Sequence, residues 1–437
     1  MKQVKVVLIG AGSGSFGRGT LADLMSSREL RGAAELTIAL VDIDEVALAA
    51  MHGFAEKLRE YHGSSARLEA TSDRREALRG ADYVITAVSR KRNELWTQDF
   101  HVPLAYGFRH PLGECGGPGA AFHTLRSLHL VVPICQDMEE LCPGALLLNF
   151  TNPESRVCLG VTRLTGIRAV GLCHGPMTTH QVVARILGRR PEEVEITVGG
   201  INHFHWVTQI TEVTTGESLL GEFDGRMAEG QHGLGPLTRF CYETFGRLPF
   251  PSENHIAEYL PFGYEFVGPD YLKYAAHVEA ANSGPTPSVK ERIAAVARGE
   301  APLTADLAGP TSELAVPIIA GIETGRERRF VSSNVPNAGG AVSNLPEEAI
   351  VEVPVVASAE GVRPVPAGAL PDAVAALCRL QVAIQELLVQ AYAERSKELL
   401  YQALLLEPTV DDSRRAREMM EEMLRLQQPY LPEVNDG

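Results

Sequence analysis

Three short segments carry residue types that could do chemistry together: Asn149-Phe150-Thr151-Asn152-Pro153, Cys173-His174-Gly175-Pro176 and Gly200-Ile201-Asn202-His203. A cysteine thiolate and a histidine ring suit a first-row transition metal. A cysteine and a histidine from these segments are therefore candidate divalent-metal ligands, and two protein ligands leave positions for substrate oxygens. A closed structural zinc site wants four ligands and usually a CxxC pair, which this chain lacks. Bland roles compete. A cysteine at a strand end is commonly a buried small hydrophobe, and His203 and His205 could be packing residues along one strand face.

A second site begins at the N-terminus. Val6–Phe16 reads VVLIGAGSGSF, an apolar strand running into Gly10, Gly12, Ser13, Ser15 and Phe16. Glycines at this spacing let the backbone turn tightly against a pyrophosphate, at the positive end of the following helix. Ser15 stands where the third glycine of the usual fingerprint is expected. Asp42 ends the next apolar run, where a carboxylate accepts hydrogen bonds from both ribose hydroxyls and repels a 2′-phosphate, favouring NAD over NADP. Its distance from Gly12 exceeds the usual ~20 residues, which implies an extended helix or loop between them.

These residues need a scaffold. Continuous apolar runs at Val4–Ile9, Leu36–Val41, Tyr83–Val88, Leu146–Phe150, Ala169–Leu172 and Val194–Val198 alternate with helical patterns. The alternation predicts an α/β fold, a Rossmann-type doubly wound parallel sheet covered on both faces. All three chemical segments fall at or just beyond carboxyl ends of strands, where such sheets bind ligands. After about Ile210 the strand rhythm weakens and Gly, Pro and aromatics become frequent. Residues 328–356 read as a loop followed by a strand, Ala349–Val355. From Pro371 to about Gln428 the pattern is helical, interrupted near Glu407-Pro408. The expected division is 1–200 for nucleotide binding and 201–437 for a second α+β domain that binds substrate and metal and mediates oligomerisation.

The 437 residues carry a formal charge of −15, with 45% hydrophobic and 22% charged residues. Such a surface disfavours nonspecific binding to nucleic acid or anionic lipid. No apolar stretch reaches the ~18 residues of a membrane span. The basic, apolar N-terminus reads better as a first strand than as a signal peptide. Seven cysteines without a paired framework favour reduced thiols in the cytoplasm.

Taken together, these motifs resemble glycoside hydrolase family 4, the NAD- and manganese-dependent glycosidases related to lactate and malate dehydrogenases. The resemblance covers the glycine loop, Asn152-Pro153, Cys173-His174-Gly175, Asn202-His203, Asn334-Val335-Pro336-Asn337, Asn344-Leu345-Pro346 and the tail around Glu407-Pro408. It implies that Cys173 and His203 bind Mn²⁺ or a similar metal and that Asn152 contacts the sugar, with Asn202 in the same substrate set. Leu112–Gly119 resembles a family loop with Asp-Thr where this chain has Glu114-Cys115, so Glu114 is expected to face the sugar. Ser252–Tyr259 resembles a segment with acidic and His residues beside the substrate.

The implied mechanism is an exception to two-carboxylate hydrolysis. Hydride leaves C3 for NAD⁺, a base takes the acidified C2 proton, and the aglycone leaves C1. Water then adds and C3 is reduced again. Glu253, Tyr259 and Tyr264 are candidates for the C2 base, a tyrosine needing a metal or cation to lower its pKa. His174 could protonate the leaving group or simply hydrogen-bond substrate. Arg109, His110 and Arg126 could bind an anionic sugar group, or be solvated. His174-Gly175 resembles the branch that includes α-hexuronidases, so unphosphorylated α-hexosides or α-hexuronides are expected, handled by a homodimer or homotetramer. A metal-free lactate/malate-type or sugar dehydrogenase and a noncatalytic NAD-binding sensor are the alternatives. Cys173 and His203 argue against the first, and the crowd of polar groups at 109–126, 149–153, 173–176 and 200–205 against the second.

Overall fold

The computed structural model describes residues 1–230, 232–283 and 287–435. Its strands are β1 (Lys2–Ile9), β2 (Ala34–Val41), β3 (Arg67–Thr71), β4 (Tyr83–Thr86), β5 (Leu146–Asn149), β6 (Arg168–Gly171), β7 (Val194–Ile201), β8 (Phe204–Glu212), β9 (Arg328–Pro336), β10 (Ile350–Ser358) and β11 (Gly361–Pro364). Nine of them form one sheet in the order β11-β10-β9-β6-β5-β4-β1-β2-β3. The run β3-β2-β1-β4-β5-β6 is parallel and has the doubly wound nucleotide-binding order. β4 and β5 are wholly buried, and their short apolar sequences YVIT and LLLN fit coverage on both faces.

The sheet crosses the midpoint of the chain. β9 joins β6 antiparallel through the Gly171–Asn334 pair, and β10 and β11 continue outward. β9 differs from the expected loop over 328–348. Its sequence RRFVSSNVP has no apolar run, yet Ser332, Ser333 and Asn334 are buried within it. β3 also escaped the sequence pattern, because RLEAT is a partly exposed edge strand. β7 and β8 form a separate antiparallel pair with the Asn202-His203 turn between them.

A short helix, Arg28–Ala33, follows the helix Phe16–Ser26 and accounts for the long spacing from Gly12 to Asp42. The tail forms helices Asp372–Glu394, Lys397–Leu406 and Ser413–Gln427. The first break is at Arg395, in a left-handed conformation, after which Ser396 caps the next helix through the Leu399 amide. The second is the expected one at Glu407. These helices pack Leu388, Leu400 and Met419 against Phe122 and Leu125 of the helix Gly117–Leu141. No helix among the described residues is long and apolar enough to cross a membrane.

Candidate active site

Sterics shape the first turn. Gly10 has φ +89°, and a Cβ there would lie 2.3 Å from the Ala87 carbonyl oxygen. The close helix-to-strand approach falls to Gly17, whose Cβ would lie 2.1 Å from the Ala11 oxygen. The third small position is thus Gly17 and not Ser15, which precedes the helix without a side-chain cap bond. The Asp42 carboxylate accepts the Gly12 amide at 2.8 Å and the Asp44 amide at 2.9 Å, tying β2 to the turn. Each oxygen keeps a lone pair for a ribose hydroxyl. A cleft of about 970 Å³ opens here, lined by Gly10, Gly12, Ser13 and Asp42, with Lys290 opposite. Phe16 leans instead on Phe150, ring centroids 5.0 Å apart.

Asn152 follows β5, and its carbonyl accepts the Ser127 hydroxyl at 2.6 Å. Cys173 follows β6. Burial pushes its thiol well above the usual range, and the charge of Glu352 pushes it further, against opposing hydrogen bonds from the Gly175 amide at 3.4 Å and the Asn202 side chain. His203 is buried with φ +62°, a conformation that costs a non-glycine residue roughly 1–3 kcal/mol. Its Nδ1 is buried without a hydrogen-bond partner, and burial drives its pKa down, so the ring is neutral. It lies against His255, with ring centroids 4.2 Å apart. A neutral ring with an orphaned nitrogen and a cysteine sulfur are donors that fit a metal. Among the described residues no set of three or more His, Cys, Asp or Glu could hold one. The fitted site therefore stays at two protein donors.

Other expected residues have different surroundings. Asn202 is buried: Tyr259 donates its hydroxyl to the Asn202 carbonyl at 3.1 Å, and Asn202 Nδ2 donates to Glu352 Oε1 at 3.3 Å. It is held inward and does not offer a free amide to substrate. Tyr259 is buried with its pKa raised by desolvation, so it is a poor base. Glu253 accepts the Thr238 amide at 3.0 Å and fills the space beside Gly235, acting as an acidic cap on the helix Pro236–Phe245. Tyr264, like Glu253, is partly exposed, and Arg109 stands over its ring, 6.0 Å from the centroid.

Around the glycine-rich loop, Arg92 donates to Glu114 at 2.7 Å. Arg126 is bound to Asp99 in the interior, and buried His110 has its pKa lowered to about 4 by desolvation. Neither is placed to take an anionic ligand, whereas Arg109 is exposed. His174 begins the helix Gly175–Leu187 and lies 3.1 Å from Glu313, whose carboxyl burial and Asp23 push up to about 7.

Three carboxylates near the site were not singled out by role from sequence. Glu313 gave no signal. Glu258 lies in the Ser252–Tyr259 segment, and its Oε1 accepts the amides of Glu114, Cys115 and Gly116 at 2.7, 3.1 and 3.3 Å. Glu352 does carry a signal, as a lone acid in the apolar strand IVEVPVV.

A sequence model described as family 4 glycosyl hydrolase matches residues 5–189, and that of the family 4 C-terminal domain matches residues 198–410. The chain is similar to an α-galactosidase of Bacillus subtilis, 31% identical with 92% of this chain and 93% of that protein covered. It is 29% identical to an α-glucosidase of Erwinia rhapontici, with 98% of each covered. The fold is like that of a 6-phospho-α-glucosidase from gut microorganisms solved in complex with NAD and Mn²⁺, at a TM-score of 0.81 and 23% identity, covering 99% of this chain and 100% of that one. The chain belongs to glycosyl hydrolase family 4 and is an enzyme of that family.

Proposed function

We propose that this enzyme hydrolyses unphosphorylated α-hexosides with NAD and a divalent metal, by oxidation at C3, elimination of the aglycone, water addition and re-reduction. The observation that supports this reading is a nucleotide cleft beyond β1 and β2 together with Cys173 just after β6 of the same sheet and His203, with its unpartnered Nδ1, in the turn between β7 and β8. Gly10, Gly12, Ser13 and Asp42 would hold the dinucleotide, and Cys173 and His203 the metal. When bound, the pair supplies a hydride acceptor for C3 and Lewis acidity at the sugar oxygens.

The chain's own groups divide the proton chemistry. Tyr264 receives the C2 proton at its phenolic oxygen, with the Arg109 guanidinium 6.0 Å above the ring centroid. His174 carries the proton delivered to the leaving oxygen, with Glu313 at 3.1 Å orienting its ring. Asn152 orients the sugar hydroxyls. Glu114, fixed by Arg92 and by the amides that grip Glu258, faces the sugar from the loop.

The paired or neutral state of Arg126 and His110 supports a neutral sugar, as do the names of the α-glucosidase and α-galactosidase relatives. Exposed Arg109 keeps α-hexuronides as the second substrate class. A nitrophenyl-glycoside panel with NAD⁺, Mn²⁺ and a thiol reductant tests the reading. Release of nitrophenol from an α-hexoside, dependent on both additions and with no net NADH, is expected. Turnover that is indifferent to NAD⁺ and to chelation overturns it.

A further inference from the structure

Glu352 is 1% exposed and sits in β10, opposite Asn334 of β9, which in turn pairs with Gly171, two residues before Cys173. Its side chain ties together both flanks of His203. Asn202 Nδ2 donates to Oε1 at 3.3 Å, and His205 Nδ1 donates to Oε2 at 2.6 Å. The far nitrogen of His205 is 2.8 Å from the Thr179 hydroxyl, which also reaches the Gly175 carbonyl at 3.3 Å. A continuous chain thus runs from β10 through His205 and Thr179 to the segment just after Cys173.

A buried acid in an apolar strand is costly unless its partners and its charge are used. We infer that Glu352 is a positioning residue for the metal pair: it fixes the strained Asn202-His203 turn and, through His205 and Thr179, the segment just after Cys173. Histidine orientation by a buried carboxylate is a general device of metal sites; here it acts through the residues either side of the ligand. This inference rests on the metal reading given above.

The test is a Mn²⁺ titration of the full chain, following loss of the free-ion electron paramagnetic resonance signal, with melting temperature and NAD⁺ affinity measured in parallel. Glu352→Gln should bind Mn²⁺ roughly 10–100-fold more weakly, with NAD⁺ affinity unchanged and activity recovered as Mn²⁺ is raised. A folded Glu352→Gln chain with wild-type Mn²⁺ affinity overturns the inference. If that variant does not fold, Thr179→Val, which removes one hydroxyl from the same chain of bonds, takes its place. It should weaken Mn²⁺ binding in the same direction, and wild-type affinity there overturns the inference. A wild-type chain that binds no Mn²⁺ overturns the metal reading itself, a distinguishable result.

Discussion

Glu258 Oε1 accepts the backbone amide of Glu114 at 2.7 Å, and the next two amides converge on the same oxygen. One fully buried carboxylate therefore sets the path of the loop that carries Glu114. Glu258→Ala leaves those amides buried and unpaired. Removing one side of a buried charged contact costs about 3–5 kcal/mol, so the melting temperature should drop by several degrees and kcat with it. A melt and a rate equal to wild type would show that the loop holds itself.

Asp42 is engaged by two amides and still has lone pairs for ribose hydroxyls. NAD⁺ should bind more tightly than NADP⁺ in calorimetric titrations. Asp42→Ala should weaken NAD⁺ by roughly 10–100-fold, the loss expected for hydrogen bonds to a charged group, and narrow the preference. A clear NADP⁺ preference in the wild type removes Asp42 from the ribose site.

Cys173→Ser and His203→Ala should each abolish metal-dependent turnover, since each removes one of the two protein donors. Oxidants should inactivate the metal-free chain faster than the loaded one, because ligation occupies the sulfur. Chelation followed by Mn²⁺ titration is the measurement. Full activity in both variants means the metal lies elsewhere.

Five of the six parallel strands were legible because β1, β2, β4, β5 and β6 are short apolar runs bounded by turns, and the site segments were legible because they end such runs. β9 was not, because its buried Ser332, Ser333 and Asn334 look like loop residues until the sheet surrounds them. Individual roles were harder still. Glu253, Tyr259 and Tyr264 have equal claims in the sequence. The difference lies in contacts made across the fold: the helix end capped by Glu253, the Asn202 carbonyl that takes Tyr259, and the Arg109 cation over Tyr264. Ser15 and Gly17 likewise exchange roles only when the distance to Ala11 is known.

Glu154 gives a stability prediction independent of catalysis. Burial raises its carboxyl from an ordinary value of 4.5 to about 8. Between those values the folded chain holds a proton that the unfolded chain has released, so the Glu154 contribution falls as pH rises through this window and is lowest above about 8. Glu154→Gln, which mimics the protonated form, should melt higher than wild type at pH 9 and close to it at pH 4. Melting curves for both chains across that range decide it; a difference that does not change with pH would mean the carboxyl titrates normally.

Exchange at C2 separates the proposed route from ordinary hydrolysis and from simple dehydrogenation. In that route oxidation at C3 would make the C2 proton acidic, and Tyr264, partly exposed beneath the Arg109 cation, is the proposed base. Once its proton equilibrates with solvent, turnover in D₂O should place deuterium at C2 of the released sugar, read by mass spectrometry and NMR. Tyr264→Phe keeps the ring under Arg109 and removes the oxygen. Loss of a general base lowers the rate by roughly 10²–10⁴-fold, and both nitrophenol release and C2 labelling should fall together. If Tyr264→Phe retains full labelling, the base is another group. If the wild type hydrolyses the glycoside in D₂O with no label at C2 and no need for NAD⁺, the redox route is wrong and the fold is being used for different chemistry.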